Sequence, residues 1–194
     1  DTNYSNLEDW TSMTRGQNSI RKRCLYGKLT AEYPLEYMKQ FFDAYRDEPK
    51  FFRVGLADGH EGTAEVIKYI DDILVNFFEK FEREGYLDDT LVLITSDHGF
   101  SLPGPYTLFQ FEDWKTELVL PAMFVLSPTN IRAFDIIRKN LKSNEHKLIT
   151  PFNMYNSLKL LLGDPELTAA FQDAEDIFSG TLSEERDCKV IHDR

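Results

Sequence analysis

The chain has 194 residues and a net charge of −11, and 42% of its residues are hydrophobic. This composition is typical of a globular domain with one hydrophobic core, and it excludes an intrinsically disordered chain. The negative charge argues against nucleic acid or an anionic membrane as a partner. No apolar stretch in the sequence is long enough for a membrane span.

The predicted elements begin after a polar N-terminal stretch. Residues 1–30 show no clear periodicity, and the basic cluster at residues 21–23 is typical of a solvated surface. Apolar residues at helical spacing then predict a helix over residues 35–45, which Pro49 ends.

A strand–helix–strand unit occupies the middle of the chain. Residues 51–57 predict a strand that leads directly into Asp58 and His60. An amphipathic helix is predicted over residues 63–84, and a second strand over residues 90–96. This order implies a right-handed parallel crossover, which would bring both strand ends to the same edge of a sheet.

The second of these strands ends in Asp97, His98 and Gly99. Ligands gather beyond the carboxyl ends of the strands in open α/β sheets. Carboxylate and imidazole groups both bind divalent metals, and the glycine lets the backbone turn sharply behind them. The pattern therefore predicts a metal site. The alternative interpretation is a strand followed by an ordinary turn.

The second half of the chain begins with a long loop. Residues 101–117 are rich in proline, glycine and aromatic residues, which is typical of a loop that covers a site. A strand is predicted over residues 118–126, and helices over residues 130–141 and 152–162. We divide the chain into an irregular segment at residues 1–30, an α/β domain at residues 31–165 and an acidic irregular tail at residues 166–194.

Two cysteines and one sequon bear on the cellular compartment. Cys24 and Cys188 pair either with each other across a long loop or with cysteines outside this segment. Asn3 begins an Asn-Tyr-Ser glycosylation sequon. We therefore expect a secreted or lumenal glycoprotein. Since the chain starts at Asp1, we also expect a processed or partial piece of a larger protein.

Taken in order, these segments resemble the alkaline phosphatase/sulfatase superfamily. The most specific part is the Ser-Asp-His-Gly block that closes a strand, after an Asp-bearing helix and a glycine. The chain is more similar still to the little-characterised animal sulfatase-like family of secreted or membrane-anchored proteins. Members of that family usually have aspartate at the position of Asn153, and we expect this residue to have a structural role. The similar segments are residues 24–27, 45–51, 69–72, 85–99, 117–121, 148–155 and 185–188.

The resemblance implies a three-layer α/β sandwich with a mostly parallel sheet, of which this chain is the C-terminal portion. It implies a divalent metal, zinc or calcium, held by Asp97, His98 and His60. Asp58 and Lys115 would contact the anionic substrate, and an exposed lysine is the other interpretation of Lys115. The N-terminal strands, the nucleophile and the first metal-binding aspartates of the superfamily would precede this segment. We expect no catalytic residue here.

Three functions are compatible with these observations. The first is part of a metal-dependent hydrolase or transferase of sulfate or phosphate esters, completed by a preceding half or a larger assembly. The second is a catalytically degenerate sulfatase-like protein with a structural or interaction role. A small self-sufficient metal-binding or hydrolytic domain ranks last, because a parallel sheet without its opening strands would expose a long apolar edge.

Overall fold

The structure is a computed structural model that describes residues 23–60, 65–99, 116, 118–163 and 175–187. Contacts divide the chain into two compact units, Asp1–Leu87 with Leu91–Leu126 and Asp88–Thr90 with Ser127–Arg194. Every helix in the described ranges is too short or too polar to cross a lipid bilayer.

The elements of the described ranges follow one another as pairs of short strands and pairs of helices. In chain order they are β1 (Cys24–Leu25), β2 (Lys28–Leu29), α1 (Glu32–Ala44), a 3-10 turn at Ala57–His60, α2 (Lys68–Arg83), a 3-10 turn at Tyr86–Asp88, β3 (Val92–Thr95), β4 (Met123–Leu126), α3 (Phe134–Asn144) and α4 (Pro151–Leu161). Apolar spacing predicted four helices, and the structure confirms all four. They begin and end at residues that differ from the predicted ones. The helix predicted from residue 63 begins at Lys68: residues 65–67 are described and are not helical, and residues 61–64 lie outside the described ranges.

The core of the first unit is aromatic. The rings of Phe42 and Phe81 lie 4.9 Å apart, and those of Phe81 and Tyr86 lie 4.6 Å apart. All three side chains are buried, so α1 and α2 are joined where their apolar faces meet. Gly85 ends α2 with a φ of 81°, a left-handed conformation that glycine adopts without strain. Five partly buried side chains surround this cluster: Met38, Phe41, Phe52, Phe77 and Leu87.

The strand predicted over residues 51–57 is not paired with another strand in the described ranges. Residues 51–56 carry no regular secondary structure, and the 3-10 turn takes Ala57–His60. Exposure nevertheless alternates along the segment, since Phe52, Val54 and Leu56 are half-buried between exposed neighbours. This period of two is the pattern of an extended chain, which is why the sequence resembles a strand there.

β3 confirms the strand predicted over residues 90–96, and β4 confirms the second half of the one predicted over residues 118–126. The first half of that prediction is wrong, since residues 118 and 119 are helical. The two strands pair antiparallel, with Val92 opposite Leu126 and Thr95 opposite Met123. The pairs described here are antiparallel, and the mostly parallel sheet stays a prediction.

The second unit contains α3, α4 and an irregular segment at residues 175–182. Buried polar side chains of both helices bind the backbone of this segment. Asn144 donates through Nδ2 to the Gly180 carbonyl (2.9 Å) and accepts through Oδ1 from the Leu182 N–H (2.8 Å). The Ser157 hydroxyl accepts from the Ile177 N–H (2.9 Å). The segment is therefore held by side-chain groups where a strand would use a ladder.

Asn153 has the structural role that was expected of it. Its side chain is fully buried and completes a capping box with Thr150, whose N–H donates to Asn153 Oδ1 (2.9 Å). Arg186 donates to the same oxygen (3.0 Å), and Asn153 Nδ2 donates to the Glu175 carbonyl (2.6 Å). One amide thus joins the start of α4 to Glu175, at the beginning of this segment, and to Arg186, which follows it.

Candidate functional site

The turn that follows β3 is held by hydrogen bonds at both of its ends. The Ser96 N–H donates to the Ala122 carbonyl (3.0 Å), and the Ala122 N–H donates to the Ser96 hydroxyl (2.8 Å). At the other end, the Gly99 N–H donates to the Leu118 carbonyl (3.2 Å). The two residues between these anchors are therefore presented at a fixed place beyond the strand.

Those two residues are Asp97 and His98, and their side chains converge. His98 Nε2 lies 3.7 Å from Asp97 Oδ2, with 47% of the histidine side chain and 90% of the aspartate side chain exposed. His98 Nδ1 lies 2.6 Å from the Gly99 carbonyl oxygen. Because a carbonyl oxygen can only accept, Nδ1 carries the hydrogen and the Nε2 lone pair is left available. Metal-ligating histidines are typically oriented in this way through their other ring nitrogen.

The Asp97 carboxyl is held in its ionised form. Its pKa lies below the usual range, first because its own backbone N–H and that of His98 interact with the carboxylate, the latter at 3.0 Å. When their rings are protonated, His98 and then His60 lower this pKa further by electrostatic attraction. The Asp97 carboxylate is therefore in the form that binds metal.

The donor set fits zinc. Zinc lies about 2.0–2.2 Å from nitrogen and oxygen ligands, so two ligands of one tetrahedral ion are about 3.3–3.5 Å apart. The 3.7 Å between His98 Nε2 and Asp97 Oδ2 is close to that separation. Two imidazoles and one carboxylate suit zinc better than calcium, which prefers oxygen ligands. Across the described ranges, no three His, Cys, Asp or Glu side chains already form a metal-binding group, so coordination by His60 stays a prediction.

Asp58 lies in a buried ion pair. Its Oδ1 is 3.3 Å from Arg23 Nη1, and each of the two side chains is 10% exposed. The expectation that the cluster at residues 21–23 is solvated is therefore wrong for Arg23. The carboxylate predicted to contact substrate already has a cationic partner, and that contact would require the pair to open. Sequence reasoning missed the partner because 35 residues separate the two.

Three predicted features lie outside the described residues: Lys115, Cys188 and the sequon at Asn3. The Cys24 thiol is exposed and free in the part of the chain that the structure describes. A bond between Cys24 and Cys188 stays one of the two open alternatives.

One comparison with known proteins gives a match. The sequence model of a family described as "Protein of unknown function (DUF229)" matches residues 4–176, a range that includes all five predicted site residues. No curated protein and no solved structure matches the chain.

Proposed function

The chain belongs to the DUF229 family, and we propose that it supplies part of the metal site of a sulfatase- or phosphatase-like enzyme. Its substrates would be sulfate or phosphate esters. The observation that carries the proposal is the convergence of Asp97 Oδ2 and His98 Nε2 at the end of β3. The resemblance to the alkaline phosphatase/sulfatase superfamily supports the substrate class.

The proposed ligands are Asp97, His98 and His60. A divalent metal bound there would neutralise the anionic ester and polarise its oxygens. The Gly99 carbonyl orients the His98 ring, and the backbone N–H of His98 helps to keep Asp97 ionised. These contacts prepare both ligands without any movement of β3.

Charge gives a second reason for a metal here. An anionic ester approaches a protein with a net charge of −11, and exposed Asp97 adds to the local repulsion. A bound divalent cation would reverse the local sign and attract the substrate. Substrate binding in the proposed enzyme therefore depends on the metal.

The rest of the active site is part of the proposal. The nucleophile and the other metal-binding aspartates would come from a preceding half of the domain or from a larger assembly. We place the protein in the secretory lumen or outside the cell, with Asn3 as the glycosylation site and Lys115 as the substrate-binding lysine.

Metal analysis of the purified protein tests the proposal. Elemental analysis after dialysis would compare the wild type with an Asp97→Asn/His98→Ala variant. A matched control, Asp72→Asn/His146→Ala, removes the same groups at exposed positions elsewhere. Stoichiometric zinc in the wild type and the control, lost in the site variant, is the expected result, and sulfate and phosphate esters would then be screened. A wild type without metal would overturn the proposal and favour a degenerate sulfatase-like protein with a structural or interaction role.

A further inference from the structure

A buried ion pair joins two distant segments of the first unit. The Arg23 and Asp58 side chains are nine-tenths buried, whereas Lys28 and Glu36 form a half-exposed pair in the same unit. Removing two charges from water is costly unless their mutual geometry compensates. An exposed pair carries almost none of that cost. The buried pair is therefore the one whose loss would change local structure.

Asp58 is the buried residue of the Ala57–His60 turn. Its three neighbours in that turn are exposed, and its carboxylate reaches Arg23 across 35 residues of sequence. His60 follows Asp58 by two residues, so any shift of Asp58 is transmitted through one 3-10 turn to the His60 backbone. His60 is also one of the three proposed metal ligands.

We propose that Arg23 is a positioning residue, whose ion pair with Asp58 fixes the Ala57–His60 turn and with it the backbone of His60. The functional meaning of this role rests on the proposed metal site. The positioning itself needs no metal and is measurable in the free protein. It also explains why one predicted substrate-binding carboxylate is buried: Asp58 holds the loop that presents the neighbouring histidine.

The effect on metal binding follows from this geometry. Residues that orient metal ligands typically account for about 10–100-fold in metal affinity. Replacing Arg23 with glutamine leaves Asp58 without its ion-pair partner, so the turn relaxes towards solvent and His60 moves. We therefore expect Arg23→Gln to weaken zinc binding by about 10–100-fold, and Arg23→Lys, which keeps the charge, to stay close to the wild type.

The first measurement is the NMR signal of the His60 ring protons at one fixed pH in the full chain. Arg23→Gln is compared with Lys28→Gln, which removes the half-exposed pair with Glu36 and the cation–π contact with Tyr33. The expected result is a shifted or broadened His60 signal in Arg23→Gln and an unchanged one in Lys28→Gln. A folded Arg23→Gln with a wild-type His60 signal would overturn the proposal.

The second measurement is zinc affinity by competition with a chelator, well below the melting temperature of each variant. A pair with a purely structural role would lower the melting temperature and leave the zinc affinity of the folded protein unchanged, against the proposal. If the wild type binds no zinc, the proposed function fails and the His60 signal alone decides the positioning role. If Arg23→Gln does not fold, Asp58→Asn takes its place. Failure of both variants to fold would overturn the positioning role in favour of a structural one.

Discussion

The Tyr86 hydroxyl donates a hydrogen bond to the Asp43 carboxylate, although 43 residues separate them in the chain. Lys39 Nζ lies 2.5 Å from the same carboxylate and 2.6 Å from Glu84 Oε2. The Arg46 guanidinium lies 4.6 Å from the centre of the Tyr86 ring. This polar cluster therefore joins α1 to the end of α2 beside the aromatic core, and it makes stability depend on pH.

The stability of the first unit should fall at alkaline pH, because Tyr86 loses its hydroxyl proton there. Its hydrogen bond to Asp43, and then its burial, raise the pKa of Tyr86 above its ordinary value of 10.0. Because the raised pKa belongs to the folded state, the stabilisation is complete below about pH 10 and is lost as the pH rises through the folded pKa. We expect the melting temperature of the wild type to fall more steeply than that of Tyr86→Phe above about pH 10. Parallel curves in circular dichroism melts would contradict this.

Asn144 should be important for the stability of the second unit. Replacement with leucine keeps the approximate size but leaves the Gly180 carbonyl and the Leu182 N–H without their partner. A buried polar group left unsatisfied costs about 1–3 kcal/mol. We expect Asn144→Leu to lower the free energy of unfolding by at least about 1–3 kcal/mol in urea titrations. The control is Asn76→Leu at an exposed site of α2, where a change within about 0.5 kcal/mol is expected. Equal effects would refute the prediction.

Ser96 should anchor the turn that presents the candidate ligands. Ser96→Ala removes the acceptor of the Ala122 N–H and leaves the bond from the Ser96 N–H to the Ala122 carbonyl in place. We expect faster amide hydrogen exchange at Ala122, with little change at residue 96. Ser143→Ala, at an exposed position of α3, is the control. Unchanged protection of Ala122 would show that the hydroxyl does not anchor this turn.

Zinc should stabilise the folded chain if the proposed site binds it. A ligand present at 100 times its Kd adds about 2.7 kcal/mol to the free energy of unfolding. We expect zinc to raise the melting temperature of the wild type, a chelator to reverse this, and Asp97→Asn/His98→Ala to show neither effect. A rise of the same size in that variant would place the zinc elsewhere.

Local patterns predicted the helices and the Asp-His pair, because their information is contained in neighbouring residues. Leu35 and Phe42 mark one face of α1 by their spacing, and Asp97 and His98 are adjacent in the sequence. The burial of Arg23 was not predictable in this way, since it depends on a partner 35 residues away.

Pairing between strands is non-local as well. Residues 51–56 show the alternation of a strand and lack a partner strand in the described ranges. The hydrogen bonds between the Asn144 side chain and the backbone of residues 180 and 182 could not be predicted, for another reason. Hydrogen bonds from a side chain to a distant main chain leave no periodic signal in the sequence.

The way in which α3 and α4 hold residues 175–182 has a consequence for sequence divergence. Amide and hydroxyl groups that bind main-chain atoms are indifferent to the side chains that those atoms carry. The residue type at exposed position Thr181 can therefore vary between relatives. Ile177 and Leu182, which are at most 1% exposed, are confined to apolar residues of similar volume. This segment can therefore keep its conformation while an exposed residue such as Thr181 changes.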